Sequence, residues 1–361
     1  MKIAFDAKRA FANRRGLGNY SRDVLRLVEH YAPENEYVLF GCPTGSFEPG
    51  EAKVVSPRGL WRLFPSLWRS FGCVNSLEGI DIYHGLSGEL PFGIHRKHVK
   101  TVVTIHDAIF IRYPELYSAT YCWLFTRKVQ YACKHADLII AISEQTKSDI
   151  IEYFHADERK IHVVYQGCNN RFREPVSAQQ LEEVRKRYAL PDRYLLAVGA
   201  IEPRKNLKRL IEAMNIAQTD LPLVAVGGKN AYAEELAKYA KERKVDLRYL
   251  HNLPFEDLPA VYKGAELFCY PSIFEGFGIP ILEAMCIGTP VLTSKGSCFA
   301  ETGGDAALYA DPVNPEEIAA QLTRVLSDET LRKQMIAKGH EQAEQFTDEK
   351  VVNNLLKIYT L

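Results

Sequence analysis

The chain has 361 residues, of which 47% are hydrophobic and 25% are charged. This length exceeds one ordinary hydrophobic core, so we expect two domains. The 45 basic and 45 acidic residues balance, which argues against a nucleic-acid-binding protein, because such proteins usually carry a basic excess. The eight cysteines form no CxxC pair and show no metal-ligand spacing, so we predict reduced thiols, a cytoplasmic location and no metal site.

Short apolar runs without alternation recur through the first half of the chain, as in buried parallel strands. They lie at 2–7, 37–42, 79–84, 99–107, 136–143 and 160–167. Amphipathic stretches such as 17–32 separate several of them, and 115–135 predicts a long aromatic-rich helix. We interpret the first run as a strand rather than a signal peptide. The sequence contains no run of about 18 apolar residues, so no transmembrane helix is predicted.

The same pattern restarts after a polar helix predicted at 178–188. Further strands are predicted at 194–200, 221–228, 246–250, 266–270, 290–294 and 307–310, and terminal helices near 315–327, 329–345 and 348–360. The predicted fold class is therefore α/β, with two Rossmann-like parallel-sheet domains facing across a cleft. We assign 1–172 to the first domain and 173–346 to the second, with the last helix, 347–361, packing back on the first. Ligands of such sheets bind at the carboxyl ends of the strands.

Two loops of the first domain carry candidate residues at such ends. Gly16 and Gly18 stand at a predicted helix start, where backbone N–H groups favour an anion. An ordinary glycine turn is the alternative. His106 and Asp107 follow another strand, where a histidine can donate to a sugar hydroxyl or a phosphate. Asp107 orients it or caps the next turn, and a purely structural histidine is the alternative.

Two cations in the second domain, Arg204 and Lys205, stand just before a predicted helix. Cations are unfavourable at a helix N-terminus unless an anion lies between them. Arginine grips phosphate through two N–H groups and lysine adds a point charge. We therefore predict a phosphate site, with a solvated basic loop as the alternative.

The stretch EGFGIPILE, 275–283, frames a glycine-rich apolar loop with two glutamates. Gly276 and Gly278 permit close backbone approach to a ligand. Carboxylates such as Glu275 and Glu283 accept hydrogen bonds from vicinal sugar hydroxyls. The alternative for Glu283 is stabilisation of the helix start.

The chain resembles the retaining glycosyltransferases of family 4, which have the GT-B architecture. EGFGIPILE matches the E-x7-E motif of that family, and EPRKN at 202–206 matches its phosphate-binding loop. RRGLGNY at 14–20 and IHD at 105–107 complete the likeness, which spans nearly the whole chain.

The resemblance implies that the second domain holds a nucleotide sugar, with no cofactor besides this donor substrate and no metal. Arg204 and Lys205 would neutralise the diphosphate, and Glu283 would bind the ribose. The other implied contacts are Glu275 with the backbone of Gly276, Phe277, Gly278 and Ile279 at the donor sugar, backbone near Leu253 at the base, Gly16 and Gly18 at the diphosphate, and His106 with Asp107 beside the reacting face of the sugar.

The implied function is transfer of a hexose to a glycan or lipid-linked acceptor in bacterial-type polysaccharide synthesis. The leaving phosphate would accept the proton of the acceptor, so no enzymic base is assigned. We favour mannose from GDP-mannose, and a UDP-sugar donor is the alternative. Two further alternatives are a sugar-nucleotide epimerase of the same fold and a non-catalytic nucleotide-sugar binder.

The stretch 59–72, GLWRLFPSLWRSFG, combines bulky apolar residues with two arginines. This composition suits an amphipathic segment lying on the inner face of a membrane. The alternative is a helix that packs its aromatic side on its own sheet.

Overall fold

The computed structural model describes residues 1–13, 16–44 and 47–361. Arg14 and Arg15, which belong to the predicted glycine loop, lie outside the described residues. The chain divides into two compact units. The first comprises Met1–Gln166 with Asp348–Leu361, and the second comprises Gly167–Thr347.

The sequence predicted the domain boundary after residue 172, whereas the structure has it after residue 166. Phe172 explains the difference. Its side chain is buried, and its ring packs against the rings of Phe255 and Tyr262 in the second unit. Residues 167–172 therefore belong with the domain that follows them.

The first unit contains a parallel sheet of seven strands with the order β3-β2-β1-β4-β5-β6-β7. The strands are β1 Lys2–Asp6, β2 Glu36–Phe40, β3 Lys53–Val55, β4 Ile82–Gly85, β5 Lys100–Ile105, β6 Leu138–Ala141 and β7 Ile161–Val163. In the register of β1, Phe5 lies beside Leu39 of β2 and His84 of β4. Most of these strand residues are buried because helices cover both faces.

The helices that accompany this sheet within 1–166 are α1 Lys8–Ala12, α2 Gly16–Tyr31, α3 Pro65–Leu67, α4 Ile109–Arg112, α5 Ala119–His135 and α6 Glu144–Phe154. Two apolar cores form, one on each side of the sheet. Ile3 and Phe5 point into the core that contains α2, whereas Ala4 points into the core that contains α5 and α6. This alternation follows from the two-residue repeat of a strand.

The second unit contains a parallel sheet of six strands with the order β10-β9-β8-β11-β12-β13. The strands are β8 Leu195–Val198, β9 Leu223–Val226, β10 Leu247–Leu250, β11 Leu267–Tyr270, β12 Val291–Ser294 and β13 Ala307–Ala310. The helices are α7 Ala178–Arg187, α8 Leu207–Ile216, α9 Ala231–Glu242, α10 Leu258–Lys263, α11 Ile279–Ile287, α12 Phe299–Gly303, α13 Pro315–Ser327 and α14 Glu329–Ala343. The predicted fold class of two Rossmann-like sheets is confirmed.

The last helix, α15 Asp348–Thr360, packs in the first unit beside α2. Its buried residues include Val352, Leu355 and Tyr359, which join the core of Phe5. The Tyr359 hydroxyl bonds Nδ1 of the buried His84 at 2.8 Å. Burial lowers the pKa of His84 to about 3, so this imidazole is neutral at neutral pH.

Within the described residues, no helix is long and apolar enough to cross a bilayer.

Candidate functional site

The strand order of the second unit reverses between β8 and β11, which are neighbours in the sheet. In open α/β sheets, ligands bind at the carboxyl ends of the strands where the order reverses. Arg204 and Lys205 follow β8, and Glu275 follows β11. The structure therefore brings three of the predicted site residues to this one position.

The side chains of these residues form one ion cluster. A single oxygen of Glu275, Oε1, lies 2.6 Å from Lys205 Nζ and 2.8 Å from an Arg204 guanidinium nitrogen. Arg204 also donates to the carbonyl oxygen of Phe274 and to Glu202, both at 2.7 Å. Lys205 donates to the Tyr270 hydroxyl at 2.7 Å. The loops after β8 and β11 are thus joined through charged side chains.

Electrostatics keep the Glu275 carboxylate ionised. Burial raises its pKa, but Lys205 and Arg204 outweigh burial and lower the pKa to about 2. Burial likewise lowers the pKa of Arg204, and Glu275 reverses that effect and raises it. An ionised carboxylate between two fixed cations can accept hydrogen bonds from hydroxyl groups, and the cations can contact an anion.

Glycine geometry shapes both loops. Gly278 precedes α11 with φ of 99°, a left-handed conformation that side chains disfavour. Gly227 follows β9, and a Cβ built there would lie 2.3 Å from the carbonyl oxygen of Gly199. Gly199, with φ of 141°, lies against the Lys205 side chain. Glycine at positions 199 and 227 therefore permits close packing of the backbone beside Lys205.

Glu283 lies apart from the ion cluster, with which it makes no hydrogen bond or ion pair in the described part of the chain. It stands in α11 and accepts a hydrogen bond from the Tyr262 hydroxyl of α10 at 2.8 Å. Burial raises the pKa of Glu283 to about 7, and the bond from Tyr262 offsets only part of this effect. This glutamate therefore titrates near neutral pH.

The remaining positions predicted in the second unit have mixed environments. Phe277 is buried, and its ring packs against Phe346, so its side chain belongs to the core. Gly276 is partly buried in the loop, and Ile279 is the first residue of α11. Leu253 follows β10, the outer strand two positions from β8, and is partly exposed.

Gly16 and Gly18 lie in the first turn of α2, after β1. A Cβ built at Gly18 would lie 1.8 Å from the carbonyl oxygen of Asn13, so this position requires glycine for packing alone. A Cβ at Gly16 would meet nothing within 4 Å. The structural alternative thus accounts for Gly18, and Gly16 stays a candidate for ligand approach.

His106 and Asp107 follow β5 and are each engaged locally. His106 Nε2 donates to the carbonyl oxygen of Leu86 at 2.9 Å, and the Gln166 amide lies 3.5 Å from its Nδ1. Burial lowers the pKa of His106 to about 4, so the ring is neutral. Its N–H is committed to Leu86, which leaves Nδ1 as an acceptor rather than the expected donor. Asp107 accepts from the backbone N–H of Ile109, which supports its capping alternative.

Sequence reasoning missed several polar residues at these sheet edges. Tyr270 ends β11 and holds Lys205, and its position as the last strand residue could have identified it. In the first unit, the buried Arg69 bonds Asp6 and Glu89, both at 2.6 Å. Asp6 is the last residue of β1, and that position was an available signal.

The chain matches two family descriptions. Residues 180–342 match Glycosyl transferases group 1, and residues 21–171 match Glycosyltransferase Family 4. O-antigen chain mannosyltransferase B of Escherichia coli is 32% identical over 287 residues, or 78% of this chain and 74% of that protein. O-antigen chain mannosyltransferase RfbU of Salmonella typhimurium is 32% identical over 213 residues, or 58% of this chain and 56% of that protein.

Solved structures share the fold at low sequence identity. Anabaena HepE in complex with UDP has a TM-score of 0.80 and 18% identity over 100% of both chains. WaaG, a glycosyltransferase involved in lipopolysaccharide biosynthesis, has a TM-score of 0.75 and 16% identity, again over 100% of both chains. These neighbours have the GT-B fold, and at this identity they bear on fold alone. The two family matches and the 32% identical relative identify the chain as an enzyme of the group 1, family 4 glycosyltransferases.

Proposed function

We propose that the chain transfers a hexose, with retention, from a nucleotide diphosphate sugar to a glycan or lipid-linked acceptor in polysaccharide synthesis. The observation that carries this proposal is the Arg204–Lys205–Glu275 cluster between the ends of β8 and β11. Such a cluster offers cations to a diphosphate and a carboxylate to the hydroxyls of a sugar.

The chemistry proposed for the cluster follows from its charges. Cleavage of the sugar–phosphate bond places negative charge on the leaving diphosphate, which Arg204 and Lys205 stabilise in place. Glu275, ionised between them, holds donor hydroxyls, and the leaving phosphate takes the proton of the acceptor. No separate base is required, and no cofactor besides the donor is proposed.

The other predicted residues have supporting roles in this proposal. Glu283 binds the ribose. The rest are the backbone of Gly276, Phe277, Gly278 and Ile279 at the donor sugar, Leu253 at the base, and Gly16, Gly18, His106 and Asp107 as contributions of the first unit.

We propose mannose from GDP-mannose as the donor, because the two relatives at 32% identity are named mannosyltransferases. A UDP-sugar is the second candidate, and it is favoured by the structural neighbour HepE, which was solved with UDP and with UDP-glucose. The two donors differ in the base, so free nucleotides can separate them.

Thermal unfolding with GDP, UDP and ADP, each without metal, tests the donor site. A nucleotide at 100 times its dissociation constant adds about 2.7 kcal/mol to stability. We expect one nucleotide to raise Tm, and Lys205→Ala to abolish this rise and turnover while the ligand-free fold persists. Lys241→Ala, which removes the same charge from an exposed position, is the control. The proposal fails if no nucleotide raises Tm, or if Lys205→Ala responds like wild type.

We further propose that residues 59–72 contact an anionic lipid surface, which suits a lipid-linked acceptor. Leu60 and Leu63 are 84% and 71% exposed, and Phe64 is 57% exposed. Arg58 and Arg62 are exposed beside them, and the segment contains no Asp or Glu. Apolar side chains with adjacent cations are the composition that binds anionic bilayers.

A further inference from the structure

Lys8 and Arg9, in α1 directly after β1, are partly buried cations whose side chains have no partner among residues 1–13, 16–44 and 47–361. Neither side chain makes a hydrogen bond or an ion pair of 4 Å or less with another residue that the structure describes. The Nε of Arg9 is fully buried and is not hydrogen-bonded within the same residues. A buried charge without a partner is costly, so such a pair of cations indicates a ligand.

The nearby cations contrast with these two, because their charges are already satisfied. Arg69 bonds Asp6 and Glu89, and Lys128 bonds Glu89 at 2.9 Å. The carboxylates of Asp6 and Glu89 are therefore already paired with other cations. Lys8 and Arg9 add two positive charges that these carboxylates do not balance.

The pKa of Lys8 agrees with this excess of positive charge. Burial, followed by the neighbouring Arg69, lowers the pKa of the Lys8 ammonium below its usual range, while Glu89 and Asp6 oppose this shift only in part. An anion bound at Lys8 would relieve both the burial and the repulsion.

The position of the two cations is that of a ligand site. The order of the first sheet reverses between β1 and β4, with β5 beside β4. Lys8 and Arg9 follow β1, Glu89 follows β4 and His106 follows β5, so all of them lie at the carboxyl edge where ligands of such sheets bind. The charge of Arg9 reaches the His106 imidazole and contributes to lowering its pKa.

We propose that Lys8 and Arg9 form an anion site for a phosphate or diphosphate group of the acceptor. Arginine and lysine together suit a phosphate, with paired N–H donors from one and a point charge from the other. The assignment of this phosphate to the acceptor rests on the proposed function, in which Arg204 and Lys205 bind the diphosphate of the donor. Binding of the anion itself rests only on the first unit.

Calorimetric titration of the full chain with inorganic pyrophosphate tests the site. The donor site is first saturated with whichever of GDP and UDP binds. We expect wild type still to bind pyrophosphate, and the double variant Lys8→Ala/Arg9→Ala to bind it at least tenfold more weakly. Arg96→Ala/Lys97→Ala, which removes two exposed cations of the same unit, should bind like wild type.

A second arm separates the acceptor from the donor as the source of the phosphate. Without nucleotide, the Lys205→Ala chain should retain a pyrophosphate site that disappears when Lys8→Ala/Arg9→Ala is added. Nucleotide binding by Lys8→Ala/Arg9→Ala should be unchanged, which also shows that this variant folds.

Three outcomes would overturn the proposal. The first is that wild type saturated with nucleotide does not bind pyrophosphate, and the second is that Lys8→Ala/Arg9→Ala binds pyrophosphate like wild type. The third is that this double variant loses affinity for the nucleotide as well as for pyrophosphate. The last outcome would assign the cations to the donor. If neither GDP nor UDP binds, the proposed function fails, and the Lys205→Ala arm still decides whether the anion site exists.

Discussion

At the residue scale, Glu275 accepts hydrogen bonds from Lys205 and Arg204 on the same carboxylate oxygen. The sequence identified these residues, because charged side chains beside glycines at strand ends are difficult to explain as core or as ordinary surface. It could not predict their pairing. Lys205 and Glu275 are 70 residues apart, and only the adjacency of β8 and β11 brings them together. The contact of Lys205 with Tyr270, 65 residues away, was missed for the same reason.

The raised pKa of Glu283, about 7, predicts that nucleotide binding depends on pH. If this carboxylate accepts ribose hydroxyls, the protonated form, which predominates below pH 7, binds them less well. We expect the affinity of the nucleotide to rise about tenfold from pH 6 to pH 8, as measured by calorimetry.

Glu283→Gln is the matched variant for this prediction, because it removes the titration with little change in size. The pH dependence of its nucleotide affinity should lack the part that Glu283 contributes. Titration of the nucleotide phosphate affects the variant and wild type equally. Equal pH dependence in the variant and in wild type would exclude Glu283 as the titrating group.

At the element scale, the sequence predicted helices and strands well wherever the apolar pattern was long. All six strands of the second unit were predicted, as were the three terminal helices. The strand β3, Lys53–Val55, was missed, because three partly exposed residues at the sheet edge give no readable pattern. Propensity alone does not define so short an element.

The segment 59–72 is not the single helix packed on its own sheet that one sequence alternative described. It forms short helical turns at Gly59–Leu63, Pro65–Leu67 and Trp68–Gly72 rather than one helix. Trp68 is buried and stacks on Phe40, which attaches the segment to the sheet, while most of its other apolar side chains stay exposed. Pro65 begins the second of these turns, and a proline at this point interrupts a continuous helix.

Replacement of two exposed residues tests the lipid contact of this segment. We expect wild type to float with vesicles that contain phosphatidylglycerol and to bind pure phosphatidylcholine less, because Arg58 and Arg62 attract anionic headgroups. Leu63→Ser/Phe64→Ser should reduce the fraction of protein that floats at least fivefold, since it removes two large apolar side chains that would contact the lipid.

The control is Ile216→Ser/Val313→Ser, which replaces two exposed apolar residues of the second unit. It should float like wild type. Wild type that remains in the soluble fraction with both kinds of vesicle would contradict the lipid contact.

At the scale of the whole molecule, the restart of the strand pattern predicted two tandem α/β units. The order of the strands was not readable from periodicity, because buried parallel strands look alike. The return of α15 to the first unit was predicted, but its contacts were not. The hydrogen bond between Tyr359 and His84 joins residues 275 apart in the chain.

Removal of α15 by a stop after Thr347 should destabilise the first unit selectively. The helix buries Val351, Val352, Leu355, Ile358 and Tyr359. Large apolar side chains contribute about 1.5–3 kcal/mol each when buried, so the loss rivals the net stability of a domain, about 5–15 kcal/mol. Hydrogen–deuterium exchange should show loss of protection in β1 and continued protection in β8.

Tyr359→Phe is the mild counterpart, because it removes one hydroxyl and keeps the helix. It should cost about 1–3 kcal/mol, since it leaves a buried nitrogen of His84 without a partner. Protection of β1 in the truncated chain equal to that in the full chain would refute the structural role of α15.

The placement of α15 also sets an order of events on the ribosome. Residues 348–361 are translated after every residue of the second unit, so that unit can complete its core while the first still has one apolar face uncovered. Ile3, Phe5 and Val28 must wait, near a growing chain, for partners that arrive last. The first unit therefore emerges before the second and completes its core after it, so its apolar face stays exposed while the second unit is synthesised.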